Sequence, residues 1–139
     1  MIVIDGEFTG LNCSIHSLVS LGAVDFNNPE NQFYGECRIW EGATYDDIAL
    51  GINGFSVEDI NDPKKDSLEE MITKFDAWLK TCSSPQLLIG QNPKSDIDFL
   101  VDSYKRAGID YPLGHRSIDT HSVVFMKHMQ IEKKILIEK

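Results

Sequence analysis

The chain opens on Met1-Ile2-Val3-Ile4-Asp5-Gly6-Glu7, an apolar run that emerges from the core and ends in two acids two residues apart. In an extended strand alternate side chains share a face, so both carboxylates point the same way at the strand's end. Two anions held that close repel unless a proton or a cation sits between them. Oxygen ligands gathered on one face suit Mg²⁺ or Mn²⁺. Asp-x-Glu alone is also compatible with a polar strand end facing water. Phe8-Thr9-Gly10-Leu11 directly after it, and a second acidic motif far downstream, favour half of a metal site.

A length of 139 residues and a mass of 15.7 kDa imply one domain, residues 1–139, able to bury roughly two-thirds of its unfolded surface. No apolar stretch approaches the roughly 20 residues that span a bilayer. No basic segment, apolar segment and cleavage site open the chain, so neither a membrane nor a secretory route is expected. Three cysteines (Cys13, Cys37 and Cys82) are odd in number and scattered without zinc spacing, which points to a reduced, cytoplasmic protein. Lys and Arg number 13 against 22 Asp and Glu, a net charge of −9. That argues against tight, sequence-independent duplex binding through many phosphate contacts. It leaves room for nucleic acid held through a cation, because a bound ion becomes the largest local charge.

Apolar patterning predicts strands over Leu18–Phe26 and Gln32–Trp40, joined by the turn at Asn27-Asn28-Pro29. With the first strand they form an antiparallel meander. Gly42 to Asp62 reads as an acidic loop with at most a short helix at Tyr45–Leu50. Ser67-Leu68-Glu69-Glu70 has the form of a capping box, and Leu68, Met71, Ile72, Phe75, Trp78 and Leu79 follow at helical spacing. Ser83-Ser84-Pro85 breaks that helix before a buried strand at Gln86–Gly90. A second helix starts near Ser95 and ends at Gly108, a fifth strand covers Arg116–Asp119, and a last helix runs from Thr120 to about Met129. Strands first, then strands alternating with helices, give an α/β fold on a mixed sheet.

The second acidic motif is Gly90-Gln91-Asn92-Pro93-Lys94-Ser95-Asp96-Ile97-Asp98-Phe99-Leu100, read as strand, glycine turn and helix start. A carboxylate in a first helical turn is stabilised by the helix dipole. Asp98, three residues after Ser95, fits a capping role. Asp96 reads from local context equally well as a dipole acid or a site acid. Asp119 reads as the N-cap of the helix from Thr120, and His115 as a surface histidine.

Asp5-Gly6-Glu7-Phe8-Thr9-Gly10-Leu11 resembles the first motif of the DEDD-type, DnaQ-like 3′→5′ exonucleases, and Leu88 to Leu100 resembles their second. The order of elements and the segment His115 to Thr120 are similar to that family too, so the likeness covers nearly the whole chain. It implies a ribonuclease H-like fold: three antiparallel strands, then parallel strands, flanked by helices. It implies Asp5, Glu7 and Asp96 as catalytic residues holding two Mg²⁺ or Mn²⁺ ions that drive phosphodiester hydrolysis. Thr9, Gly10 and Leu11 would border the 3′-terminal nucleotide of a single-stranded DNA or RNA, with Leu11 against a base. Asn92 would support the site.

The family completes its site with a histidine followed five residues later by an acid. Here the residues five after His16, His115, His121 and His128 are Leu21, Thr120, Met126 and Lys133. Gln91 stands where the family has histidine, and Ser95 where it has an aromatic. The resemblance therefore implies a chain that stops before the family's last helix. Three readings follow: a metal-dependent 3′→5′ exonuclease, impaired without that motif; a degenerate relative that binds nucleic-acid ends or nucleotides without cleaving; or a non-catalytic interaction module whose acids are a solvated rim. A sheet face left uncovered would invite pairing with a second copy as a homodimer.

Overall fold

The computed structural model describes residues 1–83 and 86–137, with side chains described through Gln130. The proposed break at Ser84 and Pro85, and the side chains of the Ile135-Leu136-Ile137 run, lie outside the described residues. Strands β1 (Ile2–Phe8), β2 (Leu18–Asp25) and β3 (Gln32–Glu36) form the meander. Two short helices, α1 (Asp47–Asn53) and α2 (Val57–Ile60), precede α3 (Leu68–Leu79). Strand β4 (Leu88–Gly90), helix α4 (Lys94–Ala107), strand β5 (Ser117–Asp119) and helix α5 (Thr120–Ile137) complete the chain. The sheet order is β3-β2-β1-β4-β5, antiparallel among the first three strands and parallel from β1 through β5. β1 is thus central, and its apolar alternation divides the molecule. Ile2 and Ile4, opposite Asp25 and Ala23, belong to the main core with Leu21, under α3 and α4. Val3, Asp5 and Glu7 face the other way.

Helix α3 begins where its capping box places it. The Ser67 hydroxyl accepts the Glu70 N–H at 3.2 Å, and the Glu70 carboxylate accepts the Ser67 N–H at 2.7 Å. Leu68, Met71, Ile72, Phe75 and Leu79 are buried. Trp78 is half-buried because its indole N–H donates to Asn31 Oδ1 at 2.8 Å. Gly108 ends α4 in the left-handed region at φ 68°, where a glycine is least strained.

Other expectations need correction. Helix α4 starts at Lys94 behind Pro93 and has no side-chain cap, so Asp98 does not pair with Ser95. It takes an ion pair from Lys94 at 2.6 Å instead. β3 ends at Glu36 rather than Trp40, because Arg38 and Ile39 turn their N–H groups to Asp66 and Ile60 carbonyls, each at 2.9 Å. Helix α2, unanticipated, has its own capping box from Ser56 and Asp59. Helix α5 continues past Met129 to Ile137. Residues 121–130 on it are all exposed, including Val123, Val124, Phe125, Met126 and Met129.

The register between β1 and β2 slips once. Glu7 pairs with Ser20 and Phe8 with Leu18, leaving Val19 as the extra residue of a β-bulge. Leu18 thereby stays in the main core, while Val19 packs into a separate small cluster with Leu50 and Ile60 beneath α1 and α2. No helix among the described residues is long and apolar enough to cross a membrane. Cys13, Cys37 and Cys82 are free thiols.

Candidate functional site

Asp5 and Glu7 share one side of β1, as the strand alternation demands. Across from them on β2 stand Gly22 and Ser20, and Tyr34 of β3 stands opposite Gly22. Together with Asn53 and Phe55 these residues line an open cleft of about 470 Å³. The floor is sheet and the acids sit at its end.

The third acid arrives from the other side of β1. β4 pairs with β1 only at Ile2 and Val3, so the Gly6 N–H has no strand partner on that edge. The first turn of α4 fills the gap, and Asp96 Oδ1 accepts the Gly6 N–H at 2.9 Å. A Cβ on Gly6 would lie 2.9 Å from the Phe8 ring and 3.2 Å from Asp96 Oδ1, so a side chain there would crowd both. Phe8 itself stacks on Phe99 of α4, with ring centroids 4.1 Å apart, and this fixes the helix against the strand end.

Asp96 is buried, only 7% exposed. Burial pushes its pKa from 3.8 up to about 6; the Gly6 N–H opposes the shift, and Asp5 and Glu7 add to it. Glu7 is raised too, first by burial and then by Asp5. Asp5 thus acts on Glu7, and both act on Asp96, while among the described residues no lysine or arginine contributes to either shift. Asp98, two residues from Asp96, is half-exposed and neutralised by Lys94.

Among the described residues no three His, Cys, Asp or Glu side chains stand as a group that could hold a metal ion. What links Asp5, Glu7 and Asp96 is repulsion rather than a finished coordination sphere. The chemistry of the set still fits a hard divalent cation, since all three donors are carboxylates, one of them buried with no countercharge among the described residues.

The other expected residues separate into fixed and free. Thr9 is fully buried; its hydroxyl donates to the Thr44 carbonyl at 2.7 Å and accepts the Ser17 N–H at 2.9 Å. Its side chain is therefore occupied within the protein. Gly10 lies under the His16 ring. Leu11 is 97% exposed and lines a recess of about 160 Å³ with Glu7, Phe8, Gly10, Ala49, Ile52 and Asn53. Asn92 adopts a positive φ of 52°, and its N–H donates to Asp119 Oδ1 at 3.1 Å. Asp119 also accepts the His121 N–H at 3.1 Å and the Ser122 hydroxyl at 2.7 Å, the cap of α5. Its pKa is lowered, first by Ser122 and then by Asn92. His115, His121 and His128 are exposed.

Sequence reasoning passed over Tyr34, Asn53, Phe55 and the exposed pair Ile48 and Ile52. The i, i+4 spacing of the two isoleucines was the available signal, hidden in a segment read as loop. Asn53 donates to the Phe8 carbonyl at 3.0 Å and so ties the end of α1 to the strand beside Glu7.

A central β1 in a mixed five-stranded sheet, with helices packed on it and acids at its end, is an α/β fold that matches the fold of ribonuclease H-like exonucleases. Solved structures similar to it include those of exonuclease I. The Escherichia coli enzyme with single-stranded DNA and bound zinc superposes with a TM-score of 0.73 at 15% identity, over 88% of this chain and 28% of that one. Its complex with a dT13 oligonucleotide gives 0.71 at 14% identity, over 88% and 28%. A product-bound exonuclease I gives 0.71 at 14%, over 88% and 30%. The chain spans less than a third of those proteins, and at this identity the likeness is one of fold. No family model and no curated protein matches the sequence.

Proposed function

We propose that the protein is a metal-dependent 3′→5′ exonuclease acting on the 3′ end of single-stranded DNA or RNA in the cytoplasm. The observation that carries this reading is Asp96, buried with no ion pair among the described residues and bonded to Gly6, the residue between Asp5 and Glu7. Asp5, Glu7 and Asp96 would hold one or two Mg²⁺ or Mn²⁺ ions. Such ions, when bound, activate a water and stabilise the leaving 3′ oxygen. The Gly6 N–H holds one oxygen of Asp96 and leaves the other for an ion. Leu11, with Ile52 beside it, offers an apolar ledge for a terminal base, and the buried Thr9 holds the loop that carries it. The net charge of −9 makes cation-mediated phosphate contact the natural mode of binding.

A second reading is binding of 3′ ends without cleavage. Its ground is that none of His16, His115, His121 and His128 is followed five residues later by an acid. One experiment separates the readings: digestion of 5′-labelled single-stranded DNA and RNA with Mn²⁺, beside an Asp5→Ala control. A ladder shortened from the 3′ end, absent in the control, supports the exonuclease and shows which sugar it prefers. Metal binding by the parent without shortening of either strand rejects it in favour of the binding protein.

A further inference from the structure

We propose that His16 is a positioning residue that locks the loop presenting Leu11 to a nucleic-acid 3′ end; this rests on the exonuclease reading above. Residues 9–17 connect β1 to β2 and are fastened at the base by Thr9. At the tip the Asn12 N–H donates to His16 Nδ1 at 3.1 Å, and the His16 N–H donates back to the Asn12 carbonyl at 2.8 Å. The Ile15 N–H shares that carbonyl at 3.1 Å, and the Ser14 N–H donates to Asn12 Oδ1 at 3.0 Å. From outside, the Trp40 indole donates to the His16 carbonyl at 3.3 Å, and the Thr44 N–H to the Ile15 carbonyl at 2.7 Å.

The imidazole also explains Gly10. A Cβ built there would lie 2.4 Å from Nδ1 and Cε1 of His16 and 2.6 Å from its Cγ. Carbon atoms do not approach so closely, and Gly10 is not among the residues of positive φ, so this glycine serves the ring and not the backbone angle. Gly10 and His16 are a matched pair: the ring occupies the space that the missing side chain leaves. Because Nδ1 accepts, the neutral ring carries its proton on Nε2. Leu11 follows Gly10 directly. It is a large apolar side chain almost wholly in solvent, on a loop hydrogen-bonded at its base and its tip. Holding it in place before ligand arrives lowers the ordering cost of binding.

The test is a double-mutant cycle of Gly10→Ala and His16→Ala, with His16→Asn as the conservative variant whose Oδ1 can accept in place of Nδ1. Thermal unfolding, and KM and kcat for shortening a 5′-labelled single-stranded oligonucleotide with Mn²⁺, are read for each. Gly10→Ala should lower the melting temperature in the parent and have little effect in the His16→Ala background, where the ring is gone. His16→Ala should raise KM roughly 2- to 10-fold, the net worth of about one hydrogen bond, with kcat nearly unchanged, and His16→Asn should recover most of the loss. Additive melting effects, an unchanged KM, or no recovery by asparagine would overturn the proposal. If the parent shortens no strand and binds none, the exonuclease reading fails and the positioning role with it. A normal parent with an unaffected His16→Ala variant sinks the inference alone.

Discussion

The two faces of the sheet are built from the same strands and have opposite fates. On one, Ile2, Ile4, Leu21 and Ala23 are sealed under α3 and α4. On the other, Asp5 and Glu7 look across Gly22 and Ser20 to an exposed Tyr34. Only residue parity separates them, and a slip of one position would send acids into the core and isoleucines into the cleft. The lesson is that β1 holds fold and site at once. The site face tolerates its repulsion because the core face supplies the stability.

The largest break in that comparison comes from the core side. Phe75→Ala, which empties the space between Phe33, Trp78 and Tyr104, should cost about 3–5 kcal/mol in denaturant unfolding. Next come Asp5→Ala and Glu7→Ala, which should leave unfolding within about 0.5 kcal/mol of the parent. Both should lose at least about 100-fold in Mn²⁺-dependent strand shortening. An active Glu7→Ala protein would undo the site assignment.

Asp96 sharpens the contrast, since it belongs to the buried side and the acid side together. Its folded pKa lies above 3.8, at about 6, so the folded state holds the proton more tightly than the unfolded chain does. Stability of the metal-free protein should therefore fall as pH rises from about 4 through about 6. Asp96→Asn, which keeps an oxygen for the Gly6 N–H, should remove the Asp96 share of that slope, leaving that of Glu7, and stabilise the metal-free protein at pH 7 by on the order of 3 kcal/mol. The smallest effect belongs to Asp98→Asn. It loses only a surface ion pair with Lys94 and should change stability by less than about 0.5 kcal/mol, with the calorimetric Mn²⁺ signal intact.

What the sequence disclosed was what its neighbours in the chain decide. The β1 alternation, the Ser67 capping box and the Gly108 helix end all depend on residues a few positions apart. The end of β3 was hidden because Arg38 and Ile39 are drawn off by Asp66 and Ile60, more than twenty positions away. Asp98 resembled a cap because its spacing from Ser95 was right, but α4 began one residue earlier. The proximity of Asp96 to Gly6 could be read only by likeness to a family. The pairing of Gly10 with His16 had no signal at all, because it consists of a ring lying where no side chain exists.

The bulge at Val19 has a wider consequence. That one additional residue gives the segment carrying α1 and α2 an inner anchor of its own, with Leu50 and Ile60, separate from the main core. Ile48 and Ile52 ride on this segment, while the acids ride on β1. The spacing between ledge and carboxylates is thus a ruler set from behind. Altering the bulk of Val19, Leu50 or Ile60 would recalibrate it without touching Leu11, Ile52 or any of the three acids.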